Sequence, residues 1–269
     1  MADKTTGTLE TTGNLLFYKN PEPLNSEAHS HLGITADSKN PYGFARDTQL
    51  VPITVSEFAA AALSYPIIFA GTEHSPAAVM GLQKDHNAYV GDDGLMPDGA
   101  YVPGFMRRYP FVPATNNGDT TNMTVCIDRD ANVVTENPEQ PFFVDGKPSE
   151  FTKRAIEFIQ TYENESHGTL NFVKVMEELE LFETQDVTIP QNSEDRKSIV
   201  QQKIGEFVGL SHKKLNALSS KKIMELRDNG GLMAIYSQML SQSNWQRLVA
   251  QEMKNPAKGD GIGTPAGKA

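Results

Sequence analysis

Two adjacent arginines, Arg107 and Arg108, lie in the densest polar and aromatic stretch of the sequence, which runs from Tyr101 to Phe111. Because a buried charge without a partner is very costly, arginines in such an apolar setting need carboxylates or a bound anion. On an extended segment the two side chains would point to opposite faces. The pattern predicts either structural ion pairs, with Glu57 as one candidate partner, or a cleft in which a guanidinium binds a carboxylate or phosphate.

In the ligand-site alternative, one arginine acts as an anion clamp with tyrosines nearby. Two of these tyrosines precede a proline and a short apolar run, in Tyr65-Pro66-Ile67-Ile68-Phe69 and in Tyr109-Pro110-Phe111-Val112. The predicted ligand-binding set is Arg107, Arg108, Tyr101, Tyr109, Tyr65 and Glu57.

Recognisable catalytic and cofactor motifs are missing from the sequence. There is no P-loop, no dinucleotide fingerprint that opens a helix, and no serine nucleophile elbow. Cys126 lies in an alternating apolar stretch, which favours a packed and inert thiol. His29 and His31 would share a face of a strand, but no third ligand stands near them. No catalytic residue, metal or other cofactor is therefore predicted, and a non-enzymatic protein is favoured.

One further pair, Asp85 and His86, lies beside a predicted turn. It fits an acid–base pair, although a solvated turn pair is the default interpretation.

Composition restricts the class of protein. The 269 residues carry a net charge of −10, which argues against nonspecific nucleic-acid binding. The longest apolar run, residues 58–63, is far shorter than the ~20 residues of a membrane span. A single cysteine excludes an intrachain disulfide, and the first residues lack a signal peptide, so we expect a cytoplasmic protein.

The charge is unevenly distributed along the chain. Residues 1–195 contain 29 Asp and Glu against 12 Lys and Arg, whereas residues 196–258 contain 4 against 11. Two interpretations stay open: complementary surfaces of one fold, or a basic docking face for an acidic partner.

The elements that would position these residues can be predicted from turn and cap signals. Thr54 and Glu57 form a capping box before a helix-forming run, and Pro66 ends that helix. Short apolar runs separated by turns then predict an antiparallel sheet of short strands. The predicted strands are residues 15–18, 67–70, 78–82, 88–90, 123–128, 142–144 and 204–210.

Helices are predicted from residue 149 onward. Ser149 caps a helix with Phe151, Ala155, Phe158, Ile159 and Tyr162 on one face. A second helix is predicted after Ser166, and residues 184–198 are predicted to form a polar connection. Ser211 and Ser219 open further helices, Asn229-Gly230-Gly231 ends one, and the last runs from about 232 to 253.

The C-terminal helices are predicted to pack on the core and to be integral to the fold. Burying a large apolar side chain contributes ~1.5–3 kcal/mol, so deleting residues 211–252 should destabilise the protein, whereas deleting 257–269 should not. The residues predicted to pack are Ile223, Leu226, Ile235, Met239, Leu240, Trp245 and Leu248.

These elements predict the α+β class, with a mostly antiparallel sheet of short strands and a helical C-terminal section in one compact domain. The predicted bounds are an irregular segment over 1–50, the domain over 51–252 and a disordered tail over 253–269.

Several sequence blocks resemble the bacterial SapC family. They are Glu57-Phe58-Ala59-Ala60-Ala61 with Tyr65-Pro66-Ile67-Ile68-Phe69; Tyr101-Val102-Pro103 with Arg107-Arg108-Tyr109-Pro110-Phe111; Phe142-Phe143-Val144-Asp145-Gly146; Lys214-Leu215-Asn216-Ala217-Leu218; and Gly230-Gly231-Leu232 through Ser241 to Leu248. The resemblance covers about residues 50–252 and implies an association with bacterial surface-layer biology.

Two function hypotheses follow. The first is a non-enzymatic binding or accessory protein linked to the cell surface or its export, with a protein partner or self-association. The alternative is an enzyme or small-molecule-binding protein that acts on an anionic ligand through the Arg107–Arg108 segment.

Overall fold

The computed structural model describes residues 9–11, 16–116, 119–192 and 199–257. The strands are β1 Leu9–Thr11, β2 Pro21–Pro23, β3 Gly33–Ile34, β4 Leu50–Pro52, β5 Ile67–Ala70, β6 Ser75–Val79, β7 Phe111–Asn116, β8 Asp119–Asp128, β9 Val134–Thr135, β10 Gln140–Pro141, β11 Phe143–Val144, β12 Lys147–Pro148, β13 Phe182–Asn192 and β14 Ile199–Leu210. The α-helices are α1 Phe58–Ala61, α2 Gly104–Arg107, α3 Glu150–Glu178, α4 His212–Asn216, α5 Ser220–Asp228, α6 Gly231–Ser241 and α7 Trp245–Lys254.

All paired strands are antiparallel, and most are short. Helices occupy most of the described chain after β14. The predicted α+β class, with its antiparallel sheets and helical C-terminal section, is therefore confirmed.

The chain divides into two compact units, each built from two segments. Unit 1 comprises residues 1–44 and 106–164, and unit 2 comprises residues 45–105 and 165–269. Helix α3 contributes its first half to unit 1 and its second half to unit 2. The bounds expected from sequence, 1–50, 51–252 and 253–269, stay a prediction; residues 258–269 of the expected tail lie outside the described residues.

Unit 1 contains a four-stranded sheet in the order β1-β7-β8-β2 and a smaller sheet in the order β10-β3-β9. The β7–β8 pairing sets Phe111 opposite Ile127 and Val112 opposite Cys126. The buried core of the unit consists of Leu32, Phe111, Ile127, Ala131, Val134, Phe142 and Ile159.

Unit 2 is built on a five-stranded sheet in the order β13-β14-β5-β6-β4. Its core includes edge-to-face aromatic contacts in which Phe58 packs on Phe172 and on Phe69, and Phe69 packs on Phe182. Each such pair adds specific geometry to the large apolar area that the rings bury.

Local cap signals predicted helix starts and ends well. The capping box of Thr54 and Glu57 is present, and the Ser211 and Ser219 side chains accept hydrogen bonds from the N–H groups of Lys214 and Lys222. Gly230 follows α5 with φ of 79°, a left-handed conformation that glycine adopts without steric cost.

The structure corrects several predicted elements. Residues 16–17 and 88–89 form turns, residues 18 and 90 belong to no strand, and residue 15 lies outside the described residues. Helix α3 is continuous, so no second helix begins after Ser166. Serine and glycine inside a helix cost only up to about 1 kcal/mol each, and the buried face around Met176 outweighs that cost.

The predicted polar connection over 184–198 was also wrong in its described part. Strand β13 runs to Asn192 and pairs with β14 in a long hairpin, while residues 193–198 lie outside the described residues. The strand carries little apolar alternation; it pairs with β14 along its whole length, and Phe182 and Val187 supply its core contacts.

The C-terminal helices pack largely as predicted, with two corrections. Leu226, Ile235 and Leu248 are buried, and the half-buried Trp245 contacts Phe207, but Leu240 is 71% exposed. The single helix expected over 232–253 is divided into α6 and α7 by a 3₁₀ turn at Gln242–Asn244.

Candidate ligand-binding site

Arg107 and Arg108 lie at the end of a short helix rather than on an extended segment. Helix α2 ends at Arg107, and Arg108 to Pro110 form a turn that leads into β7. In this conformation the Arg107 side chain is exposed, whereas Arg108 is only 3% exposed. The two arginines therefore have different environments, and the extended backbone predicted for them was wrong.

Arg108 is held inside unit 1 by a carboxylate and two aromatic rings. Its Nη1 lies 3.7 Å from Oε1 of Glu163. Its guanidinium carbon lies 5.2 Å from the ring centre of Tyr162 and 5.8 Å from that of Tyr18. These are cation–π distances, so the rings and the carboxylate together stabilise the buried charge.

A half-open cavity of 530 Å³ lies beside both arginines in unit 1. It is lined by α2 and the turn after it, by the first half of α3, and by the segment around residues 34–44. The lining residues are Ile34, Pro41, Tyr42, Phe44, Met106, Arg107, Arg108, Tyr109, Pro110, Phe111, Val133, Phe151, Arg154, Ala155, Phe158 and Ile159.

The lining combines three guanidiniums with an aromatic wall. Arg107 lies with its guanidinium carbon 5.1 Å from the ring centre of Phe158, and Tyr109 stacks on Phe44 with ring centres 4.0 Å apart. Arg154 is exposed on α3 and completes the positive set. Among the described residues no Asp or Glu lines this cavity, so its wall is cationic and apolar.

The phenols near the cavity stay protonated at neutral pH. Burial raises the pKa of Tyr18 to about 12, with Arg108 opposing the rise, and burial together with Asp128 raises the pKa of Tyr109 well above its usual range. The Tyr18 hydroxyl donates to the carbonyl of Phe111 at 2.8 Å. A phenol in this state donates hydrogen bonds and does not act as a base.

The other three predicted site residues form a network within unit 2. The Tyr101 hydroxyl and the Gly104 N–H both donate to Oε1 of Glu57, at 2.8 and 2.5 Å. The Tyr65 hydroxyl donates to the Tyr101 carbonyl at 2.5 Å, and Oε2 of Glu57 accepts from the Thr54 N–H at 2.8 Å. These contacts fix the backbone before α2; the pairing of Glu57 with an arginine stays a prediction.

The other residues considered for chemistry have separate surroundings. His29 is buried against Glu22 with Nε2 to Oε1 at 2.9 Å, while His31 is exposed. His86 lies 3.4 Å from the buried carboxylate of Glu252, and Asp85 is exposed. In the described part of the chain no group of three or more His, Cys, Asp or Glu could hold a metal ion.

Burial raises the pKa of the Cys126 thiol to about 11, which disfavours the reactive thiolate.

Sequence reasoning missed Arg154, Tyr42 and Phe44 as cavity residues. Arg154 could have been found, because it lies three residues after Phe151 and four before Phe158 on the face of α3 that was predicted to be buried. Tyr42 and Phe44 carried no such signal, since they lie in an irregular segment far from Arg107 along the chain.

The geometry defines an α+β protein with an arginine-containing aromatic cavity, and comparison with known proteins adds the family. The SapC family model matches residues 24–248, and the chain belongs to that family. No curated protein and no solved structure matches the chain significantly. Among the described residues no helix is long and apolar enough to cross a membrane.

Proposed function

We propose that this SapC-family protein binds a small anionic ligand with an apolar or aromatic body in the cavity beside Arg107, Arg108 and Arg154. The observation that carries the proposal is the lining itself, which places three guanidiniums on an aromatic wall. Its volume of 530 Å³ falls within the roughly 300–1,000 Å³ of small-molecule sites.

The positive charge of the lining favours a ligand that carries an anionic group. A guanidinium donates two parallel hydrogen bonds to a carboxylate or phosphate, and Arg107 and Arg154 are both exposed at the cavity. Arg108 is buried and already faces Glu163, so it stabilises the wall and is not needed for direct contact with the ligand. The exposed pair would make the direct contacts.

The aromatic rings of the lining favour an apolar or aromatic body for the rest of the ligand. Phe44 and Tyr109 form a rigid stacked pair, and Phe151 and Phe158 line the cavity from α3. A flat apolar body packs well on such surfaces. The lining supplies guanidiniums, phenols and rings, a set that supports binding rather than proton transfer.

The test compares ligands that differ only in charge. Calorimetric titration with 4-phenylbutyrate and with 4-phenylbutanol should show at least tenfold tighter binding of the anion, and higher salt should weaken that binding. Arg107→Gln should weaken anion binding about tenfold. Equal affinity for the alcohol and the acid, or unchanged binding by Arg107→Gln, would contradict the proposal.

We further propose that the protein is cytoplasmic and acts as an accessory in cell-surface biology. The surface context is implied by the family, and the opposed charges of residues 1–195 and 196–258 support a docking role for the basic section. If the protein forms part of a layer, sedimentation should show self-association that depends on salt or calcium. A monomer at every condition would eliminate the layer role and leave the adaptor role.

A further inference from the structure

A second cavity, of 580 Å³, opens within unit 2. Its walls are the turn before α1 with α1 itself, the second half of α3, the end of α5 and the start of α6. The lining residues are Val55, Ser56, Phe58, Ala59, Gly168, Asn171, Phe172, Val175, Met176, Leu226, Asn229, Gly230, Gly231, Met233, Ala234 and Ser237. None of these described residues carries a charge.

Gly168 lines this cavity from α3 and contributes no side chain. It lies inside α3, where glycine is among the least favourable residues. Its φ is not positive, and a Cβ built at this position meets no neighbouring atom within 4 Å. Neither backbone conformation nor close packing therefore requires a glycine there. Gly168 is exposed and lines the cavity, so a side chain at this position would occupy the open space beside it.

Ser237 supplies an independent sign of a ligand. It is 6% exposed and lines the cavity from α6, yet its hydroxyl makes no hydrogen bond to any residue that the structure describes. Most serines inside a helix either face solvent or bond a carbonyl one turn earlier. A hydroxyl that lines a cavity and has no hydrogen bond within the described chain is available to a ligand atom.

We propose that this cavity binds an uncharged ligand with an alkyl or acyl chain, whose single oxygen contacts the Ser237 hydroxyl. Phe58, Phe172 and Met176 offer apolar surface for the chain, and the flexible Met233 stands exposed at the cavity. A carboxylate would lose its hydration with no cation in the lining to replace it. The proposal is independent of the anion site in unit 1.

Calorimetric titration with 1-decanol and with decanoate tests the proposed ligand class. The alcohol should bind at least tenfold more tightly than the acid. Ser237→Ala should weaken decanol binding about fivefold, because the chain still packs while the hydrogen bond is lost. Absence of decanol binding by the unmodified protein, or equal affinity for decanoate, would overturn the proposal.

Filling the cavity gives the sharper test. Gly168→Leu should abolish decanol binding while leaving the melting temperature unchanged or higher. Ala59→Leu adds volume to the α1 part of the lining and provides the same test if Gly168→Leu does not fold. Two controls should bind decanol normally: Leu170→Ala, at an exposed position of α3 outside the lining, and Arg154→Gln at the anion site. Unchanged binding by the filled variants would show that decanol binds elsewhere.

Discussion

Replacing Arg108 with methionine should destabilise the protein far more than the same change at Arg107. Methionine keeps an unbranched apolar stem, so the substitution removes chiefly the charge. Breaking a buried ion pair typically costs ~3–5 kcal/mol because the remaining charge is left uncompensated. The Glu163 side chain is 23% exposed and retains some water, which favours the lower end of that range.

The lost ring contacts add to this cost. Two cation–π contacts, with Tyr18 and Tyr162, contribute about 0.5–1 kcal/mol each. Added to the lower end of the ion-pair range, these contacts bring the expected loss in the free energy of unfolding to about 4–5 kcal/mol. Arg107→Met removes the contact of an exposed side chain with Phe158 and should cost less than about 1 kcal/mol.

Urea unfolding followed by far-ultraviolet circular dichroism measures both variants under the same conditions. We expect a clear shift of the urea midpoint for Arg108→Met and a small shift for Arg107→Met. Similar losses for the two variants, or a larger loss at Arg107, would refute the assignment of Arg108 as the structural arginine of the pair.

Three further predictions concern the rest of the fold. Glu57→Gln should lower the free energy of unfolding by about 2 kcal/mol in the same assay, because the buried carboxylate accepts several charge-assisted hydrogen bonds. Burial raises the pKa of both Tyr18 and Tyr89 from 10.0 to about 12, so unfolded chains release these protons first and stability should fall as the pH rises from 10 to 12; a flat profile in alkaline urea titrations would contradict this. Deleting residues 211–252 should remove cooperative thermal unfolding, whereas deleting 257–269 should leave the melting temperature within about 2 °C, a shift that corresponds to less than about 1 kcal/mol.

Signals confined to a few neighbouring residues predicted the structure well. The capping box at Thr54, the serine caps and the glycine after α5 all act through hydrogen bonds or dihedral angles within one turn. Such interactions do not depend on the rest of the chain. They are therefore visible in the sequence alone.

Elements fixed by distant partners could not be predicted in the same way. Strand β13 has little apolar alternation and is held by its pairing with β14, while α3 continues through Ser166 because one face of its second half is buried in unit 2. The spacing of apolar residues predicts that Leu240 is a core residue, but its side chain on α6 is exposed. The sequence pattern shows that a position is apolar, but it does not show which neighbouring residues cover that side chain.

The candidate site shows the same difference between residues predicted from local sequence and residues brought together by the fold. Arg107, Arg108 and Tyr109 are contiguous in sequence, and the structure places all three at one cavity. Tyr65, Tyr101 and Glu57 were grouped with them by residue type, whereas their described contacts form a separate network in unit 2. The aromatic wall from Tyr42 and Phe44 depends on a chain reversal that no local signal encodes.

Anion binding at the cavity beside Arg107 and Arg154 can be tested by a matched pair of charge removals on α3. Lys153 and Arg154 are adjacent and both exposed, but only Arg154 lines the cavity, while Lys153 pairs with Glu150 at 2.6 Å. Titration of 4-phenylbutyrate into Arg154→Gln should show affinity reduced about fivefold or more, whereas Lys153→Gln should bind as the unmodified protein does. Equal effects of the two substitutions would mean that only overall charge matters, and would contradict a ligand site at this cavity.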